Sequence, residues 1–485
     1  MIQLDALRAL SGAELRQDGA SAFGQAATDT RTLADGDLFF ALAGARDGHA
    51  FIPDAVTKGA AGVVVSDPSV SVADGVTMVF VPDTLWALQQ LAAAHRRRSS
   101  AEVVAVTGSV GKTTTKTLIA AVLRTKHDIL ANEASYNNHI GVPLTLLGIE
   151  DRHTHVVSEV GTNHRGEIDA LAELIDPDLA VLTTIGYAHV GNFASRDELA
   201  DEKADLLRRV RPHGVWVLNG DDALLATAAG RIDRPDVTAI RVGFGPGNDI
   251  RATDVVVHEH ATVGRIEADG RSLPFELPAA GHHVVYAALL AVAVGRHHGV
   301  DLPVGIEALR QTPPPAGRAD LHRLSDDLLV IDDSYNASPD AVLSALDLLG
   351  QLPGRAKVAV LGEMRELGDF TDELHQLAGT HAGAAATHLV TIGAATKHLA
   401  EAAVAAGLKP SRVITVDSAL DAHASARRIV DSTPGPTVVL VKGSRFRHTE
   451  RVYLGLTGRQ VACGLDVCSL YINCASCPKL STGSG

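Results

Sequence analysis

Residues 103–118 read VVAVTGSVGKTTTKTL, an apolar run that breaks into a glycine loop and then into a helix-forming stretch. Few arrangements accept that order. Val103, Val104 and Val106 make a short buried strand that stops at Thr107-Gly108, as strands of parallel sheets do. Gly108, Ser109, Val110 and Gly111 let the backbone curl until its N–H groups and the next helix's N-terminus face one phosphate. Lys112 adds a point charge for terminal phosphates, and the Thr113 hydroxyl, followed by Thr114, is placed to ligate Mg²⁺. The position five before Gly111 is Val106. The loop is therefore the short G-x-x-G-K-T form, and its meaning rests on the strand-loop-helix setting. That setting demands an α/β sheet with the loop at its carboxyl edge.

The chain has 485 residues, which points to about three domains of roughly 150 residues each. Its formal net charge of −14 argues against non-specific binding to nucleic acid or acidic membranes. The longest apolar stretch, Val284–Gly295, is too short to span a bilayer and reads as a buried helix, so no membrane insertion is expected. The start, MIQLDALRAL, lacks a basic leader followed by an apolar core, and the cytoplasm is the expected compartment. All four cysteines (Cys463, Cys468, Cys474 and Cys477) lie near the C-terminus, so the body is free of disulfides, as a reducing compartment requires. Only the last pair has zinc-ligand spacing, and no zinc site is expected there. The run Arg96-Arg97-Arg98 closes an alanine-rich helical stretch and reads as a solvated helix end.

Three segments separate by pattern. Residues 1–99 hold short strands between turns and end in a helix; they read as a smaller N-terminal α/β domain. Residues 100–317 alternate strand and helix, which predicts a doubly wound parallel sheet carrying the phosphate loop. The Pro313-Pro314-Pro315-Ala316-Gly317 run reads as a hinge. Residues 318–452 repeat the alternation as a Rossmann-like sheet, and 453–485 form an atypical cysteine-containing tail. The fold class is thus α/β in three domains.

Polar residues gather where these strands would end. Glu159 closes the apolar run Val156–Val160 and would face Lys112, positioned to hold Mg²⁺. His189 follows the next strand in TTIGYAHVGNF. Lys203 sits among acidic neighbours in ELADEKADLL and reads, by pattern alone, as a solvated helix lysine. Asn137 and Asn138 lie in the polar run NEASYNNHIGVP and offer donors and acceptors near the phosphate site. Near the N-terminus, Thr30 and Arg31 and the later Gly44, Asp47 and His49 form glycine- and arginine-containing turns suited to a phosphate or nucleotide. In the last domain, Asp333, Tyr335 and Asn336 end a strand with groups suited to ribose and a purine face. Lys442 and Arg445 could bring cations across the interdomain cleft.

Taken together, the runs TDTRTLADGDLFFALAG, TGSVGKTTTK, NNHIGVPLTLL, EVGTNHRGEI, IDDSYNASPDA, LGEMRELG and LVKGSR resemble the Mur ligase family of ATP-dependent amide ligases. They span residues 28 to about 452, in order. NNHIGVP and LGEMRELG favour the branch that adds a dipeptide. The resemblance implies that D-Ala-D-Ala is joined to UDP-MurNAc-tripeptide through an acyl phosphate, with ATP and Mg²⁺ as cofactors and the chain acting as a monomer. It gives Lys112, Glu159, His189 and Lys203 catalytic roles, with Lys203 carbamylated to become, beside Thr113, Glu159 and His189, a Mg²⁺ ligand. Residues 108–114 with Arg318, Asp333, Tyr335 and Asn336 would hold ATP. Thr30, Arg31, Gly44, Asp47, His49, Asn137 and Asn138 would hold the UDP substrate. Two departures stand out: Val284 and Ala287 replace asparagines of the family's G-x-H-N-x-x-N-A-L run, and the stretch after Val452 does not read as the family's closing helix. The remaining alternatives are a sister ligase that adds one amino acid and a catalytically impaired nucleotide-binding protein.

Overall fold

A computed structural model describes residues 1–485 apart from 45, 133–135, 314, 462, 469–472, 478–479 and 482–485. Three sheets of five or more strands follow one another along the described residues, beside two two-stranded ones. The first has five strands in the order Glu14–Gln17, Thr77–Phe80, Gly62–Val65, Leu38–Phe40 and Ala26–Ala27. Its first pair is antiparallel and the rest are parallel. All four residues of Gly62–Val65 are buried, as a strand covered on both faces must be.

The helix Thr84–Arg98 then crosses to the next sheet, its N-terminus capped by Asp83 through the N–H groups of Leu85 and Trp86. Its end corrects the expectation of a solvated arginine run. Arg97 and Arg98 are exposed, but Arg96 is fully buried. Arg96 follows Leu88 and Ala92 at helical spacing, so it continues the apolar stripe. Its guanidinium donates to the carbonyls of Ile175, Ala101 and Asp176 and to the Asp178 carboxylate.

The central sheet has nine strands, ordered Arg271–Leu277, Thr262–Ala268, Ile250–Val257, Thr238–Gly243, Val215–Asn219, Leu179–Leu182, Glu102–Thr107, His155–Glu159 and Ile129–Ala131. The seven strands from Ile250–Val257 onward are parallel, and the two outer ones form antiparallel additions. The Val284–Gly295 run lies inside the helix His282–His297, which is buried on nearly every side against this sheet.

The third sheet has six strands, ordered Asp320–Ser325, Leu328–Asp333, Thr437–Lys442, Ala356–Gly362, His388–Ile392 and Val413–Val416, with only the first antiparallel. A second expectation fails just after it. ERVYLGL forms the helix Glu450–Leu456, and Val452, Leu454 and Leu456 are buried on the last domain. The apolar positions at 452, 454 and 456 fit no clean helical stripe, which hid the helix; packing beside the helix Ala419–Ser432 decides it. The expected tail boundary at 452/453 thus falls inside an element.

Candidate active site

The phosphate-loop strand Glu102–Thr107 runs between His155–Glu159 and Leu179–Leu182, with successive connections leaving toward opposite edges. A crevice must open at the carboxyl ends of such strands. It does so here as a cavity of about 920 Å³ between the central and C-terminal sheets.

The loop is stapled to its neighbour. Ser109 N–H donates to the Thr184 carbonyl at 2.7 Å, and the Thr183 hydroxyl donates to the Val110 carbonyl at 2.6 Å. Gly108 has φ +144°, and a Cβ there would collide with the Thr183 hydroxyl, so only glycine closes this turn. Gly111, at φ +82°, starts the helix Lys112–Leu123. The Lys112 ammonium folds back onto the carbonyls of Gly108 and Ser109 at 2.7 and 3.2 Å. Burial lowers its pKa, against the attraction of Glu159. An arriving anion therefore meets a desolvated cation that has yielded some of its proton affinity.

Glu159 is 1% exposed. Its two oxygens accept from the Thr113 hydroxyl at 2.9 Å and the Asn137 amide at 2.8 Å, and Lys116 Nζ stands 3.9 Å away. These hard oxygen donors at the loop mouth fit a Mg²⁺ ion, which takes carboxylate and hydroxyl oxygens. His189 lines the same cavity, with Nδ1 against the Glu366 carboxylate of the C-terminal sheet's loop.

Lys203 corrects the solvated reading. It is 1% exposed and in phase with Leu199, Leu206 and Leu207 on the helix Arg196–Arg208. That spacing was the available signal: a lysine on the apolar stripe of an amphipathic helix. Desolvation, then the charge of Lys112, push its pKa well below the lysine range, while Glu202 opposes them. The adjacent Glu202 accepts from the N–H groups of Gly166 and Ile168, tying down the polar GTNHRGE loop.

From the other side, Arg318 donates to the Thr113 hydroxyl at 3.1 Å and lies 4.3 Å over the Tyr335 ring. Arg445 stacks near the same ring at 4.9 Å. Asp333 is less available than expected: its carboxylate takes Lys442 at 2.6 Å, so that lysine is held within its own domain. Asn336 lines the cavity and its carbonyl also accepts from Lys442.

The first-domain candidates lie outside this cavity. Thr30 is buried, with its hydroxyl on Asp54 and its carbonyl on Lys58. Arg31 makes a bidentate pair with Asp29, which raises its pKa, and Tyr136 of the NEASYNNHIGVP run adds to that. His49 is occupied at both ring nitrogens, by Asp47 at Nδ1 and by the N–H groups of Ser66 and Asp67 at Nε2. A Cβ at Gly44 would meet only the Arg46 carbonyl, at 3.9 Å. The Asn138 side chain accepts from Ile140 and Gly141 N–H and so serves the next helix start, leaving Asn137 as the member aimed at the site.

Residues not anticipated complete the far wall. Asp221 accepts from the N–H groups of Phe244 and Gly245, the Asn248 amide and the Tyr286 hydroxyl. Burial works against its ionisation, but these bonds outweigh that and hold its pKa down. Val284 and Ala287 line the cavity as apolar floor, with Asn219, His282, His283 and Tyr286 supplying polar groups around them. The signal for Asp221 was its place in VLNGDD, just past a strand end in the same crevice.

Known proteins share this arrangement. Models described as the Mur ligase family catalytic domain, the Mur ligase middle domain and the Mur ligase glutamate ligase domain match residues 26–96, 106–295 and 317–445. The UDP-N-acetylmuramoyl-tripeptide–D-alanyl-D-alanine ligase of Synechocystis is 39% identical over 353 residues, 73% of this chain and 75% of that protein. The chain belongs to the Mur ligase family. The Escherichia coli ligase of the same name is 31% identical over 454 residues, 92% of this Mur ligase and 95% of its relative. A crystal structure of MurF from Acinetobacter baumannii superposes with TM-score 0.85 at 30% identity, covering 94% of this chain and 98% of that one. MurF ligase from Thermotoga maritima, in complex with ADP, gives 0.77 at 26% identity, covering 89% and 96%.

Proposed function

We propose that this Mur ligase joins D-alanyl-D-alanine to UDP-N-acetylmuramoyl-tripeptide at the expense of ATP, giving the pentapeptide precursor of peptidoglycan, ADP and phosphate. The observation that carries the reading is end-to-end likeness to D-alanyl-D-alanine ligases, together with a cavity that holds the phosphate loop, Glu159 and Arg318. In this reading the tripeptide carboxylate attacks the γ-phosphoryl group, and the amine of the dipeptide then displaces phosphate from the acyl phosphate.

Transfer of a phosphoryl group needs positioning and charge neutralisation more than covalent help. The N–H groups at the start of Lys112–Leu123 and the Lys112 ammonium face the transferring oxygens. Arg318 brings a second cation from the other domain, so charge is matched only when the two domains meet. Thr113 and Glu159 are the residues that would hold Mg²⁺, and His189 and Lys203 are the further donors in this reading. Bound there, the ion supplies positive charge to the phosphate oxygens and the attacking carboxylate. The depressed pKa of Lys203 favours the neutral amine, which can add to CO₂ and lose a proton to give a carbamate anion. Stripping CO₂ and bicarbonate should then lower turnover reversibly, and unchanged turnover would remove that role. Tyr335, between Arg318 and Arg445, supports a nucleoside contact. Arg31, paired with Asp29 and within electrostatic reach of Tyr136, supports placement of the UDP part across the first domain. ATP and a UDP-linked substrate suit a cytoplasmic enzyme. Among the described residues no helix is long and apolar enough to cross a membrane.

Phosphate release with ATP, Mg²⁺, UDP-MurNAc-tripeptide and D-Ala-D-Ala, omitting each in turn, tests the reading. Release is expected only when all four are present. Release supported by a single amino acid in place of the dipeptide would assign the chain to a sister activity.

A further inference from the structure

At the opposite end of the central sheet from the phosphate loop, three metal-ligating side chains converge from three elements. Glu102 and His155 open adjacent parallel strands and are register partners. His298 follows the C-terminal end of the helix His282–His297. His155 Nε2 and His298 Nδ1 are 3.1 Å apart, Glu102 Oε2 is 3.3 Å from His298 Nδ1, and it is 3.9 Å from His155 Nε2. Ligands about 2.0–2.1 Å from a tetrahedral ion sit about 3.3 Å from one another. The three atoms thus already have nearly the spacing of one face of such a tetrahedron.

Hydrogen bonding prepares the histidines for this use. The Thr154 hydroxyl donates to the Asp128 carbonyl at 3.1 Å, and in that arrangement its oxygen accepts from His155 Nδ1 at 2.9 Å. That bond fixes the tautomer and leaves a lone pair on His155 Nε2, as an outer-shell partner of a metal-binding histidine does. His298 Nε2 is buried and has no hydrogen-bond partner among the described residues. With the lone pair on His155 Nε2, the metal-free His298 carries its proton on Nδ1, between His155 Nε2 and the Glu102 carboxylate, and an arriving cation would displace that proton to His298 Nε2 or to solvent. The His298 carbonyl is held by His127, whose ring packs 4.2 Å from that of His155. Burial first, then the neighbouring histidines, push His155 down to about 4 and His298 to about 3, so both are neutral at physiological pH. The side chains of His155 and His298 are 8% and 5% exposed, while Glu102 is 54% exposed and opens the fourth position to water.

We infer that Glu102, His155 and His298 form a binding site for a single late first-row divalent cation, Zn²⁺, Co²⁺ or Ni²⁺, separate from the ATP cavity. Two imidazole nitrogens and one carboxylate select these ions over Mg²⁺ and Ca²⁺. The ion would clamp the end of the His282–His297 helix, whose other end lines the ATP cavity, to the start of the sheet. A second cluster, His448, Glu450 and Cys474, is a poorer candidate because the Arg451 guanidinium stands 3.3 Å from the Cys474 sulfur, where a cation would repel the ion.

The test uses the full chain, stripped with a chelator and kept in excess Mg²⁺ to fill the ATP site. It is titrated with Co²⁺ by visible absorption and with Zn²⁺ by calorimetry. One equivalent is expected to bind, with a tetrahedral or five-coordinate Co²⁺ spectrum and an upward shift in Tm with Zn²⁺. Glu102→Ala and His298→Ala should each weaken binding at least tenfold and abolish the Tm shift, whereas Cys474→Ala should keep both. Thr154→Val, which removes only the outer partner, should weaken binding about tenfold. Glu102→Ala removes a half-exposed side chain and decides the matter even if His298→Ala fails to fold. Binding unchanged by Glu102→Ala, or no Zn²⁺ bound by the parent chain at tens of micromolar, overturns the site.

Discussion

Two cations, half-buried Lys112 and fully buried Arg96, show at the level of single residues how a positive charge is put to opposite uses. Lys112 is held by two backbone carbonyls that an anion can replace, so its removal should cost turnover and spare the fold. Lys112→Ala and Glu159→Gln are each expected to lower kcat by about 10²–10³, the scale for losing one preorganised charge at a transition state, with Tm nearly unchanged. Arg96 has no such freedom. Its acceptors, among them the carbonyls of Ile175, Ala101 and Asp176 and the Asp178 carboxylate, are fixed in the joint between the first and central sheets. Arg96→Met leaves Asp178 and three carbonyls short of a donor, and should destabilise by about 3–5 kcal/mol. Denaturant unfolding should show the first transition moving to lower denaturant, while KM for ATP in the surviving folded fraction stays put.

Among the elements, the helix Glu450–Leu456 matters because its first turn carries an ionic cluster. His448 Nδ1 lies 2.9 Å from Glu450 and 3.5 Å from the Cys474 sulfur, with Arg451 alongside. Hydrogen bonds to Cys474 and Glu450, against desolvation, raise the His448 pKa from 6.5 to about 10. Between those values the folded state holds a proton that the unfolded state has lost. The contribution is therefore full below pH 6.5 and fades as pH rises toward 10. Thermal unfolding of the parent chain should fall between pH 7 and 10 more steeply than that of His448→Gln; equal slopes would show that the cluster adds nothing.

Over the whole molecule, the central and C-terminal domains meet through small contacts around the cavity. Tyr187 N–H donates to Asp340, Gly191 N–H donates to the Glu366 carbonyl, and Arg323 pairs with Glu259. Burial raises the Asp340 pKa in spite of the Tyr187 bond. At Gly191 backbone meets backbone, and a Cβ there would run into Leu367 and Gly368. Gly191→Ala should hold the domains apart, carrying Arg318 away from Thr113. A larger radius of gyration by small-angle scattering and a fall in kcat are expected, with each domain's thermal transition preserved. A variant as compact and active as the parent would show that this contact is not needed for closure.

The α/β class, the phosphate loop and the carboxylate beyond the next strand were legible in the residues themselves. Strand-loop-helix order is local, and in a parallel sheet the carboxyl ends of strands all open on one edge. Lys203 and Arg96 were misread because charge pattern was weighed and phase was not; each stands on an apolar stripe, and only the packed neighbour shows that water is excluded there. The engagement of His49, Asn138 and Lys442 with their own domains could not be read from composition, because hydrogen-bond partners such as Ser66 and Asp333 are brought close by the fold. The grouping of Glu102, His155 and His298 depends on pairing across 196 residues of sequence. Sequence by itself determined the element order and the chemistry available at each strand end. Tertiary structure decided which of those groups are desolvated, which are already bonded, and which face one another across the cleft, since each of these is set by contacts between segments distant in the chain.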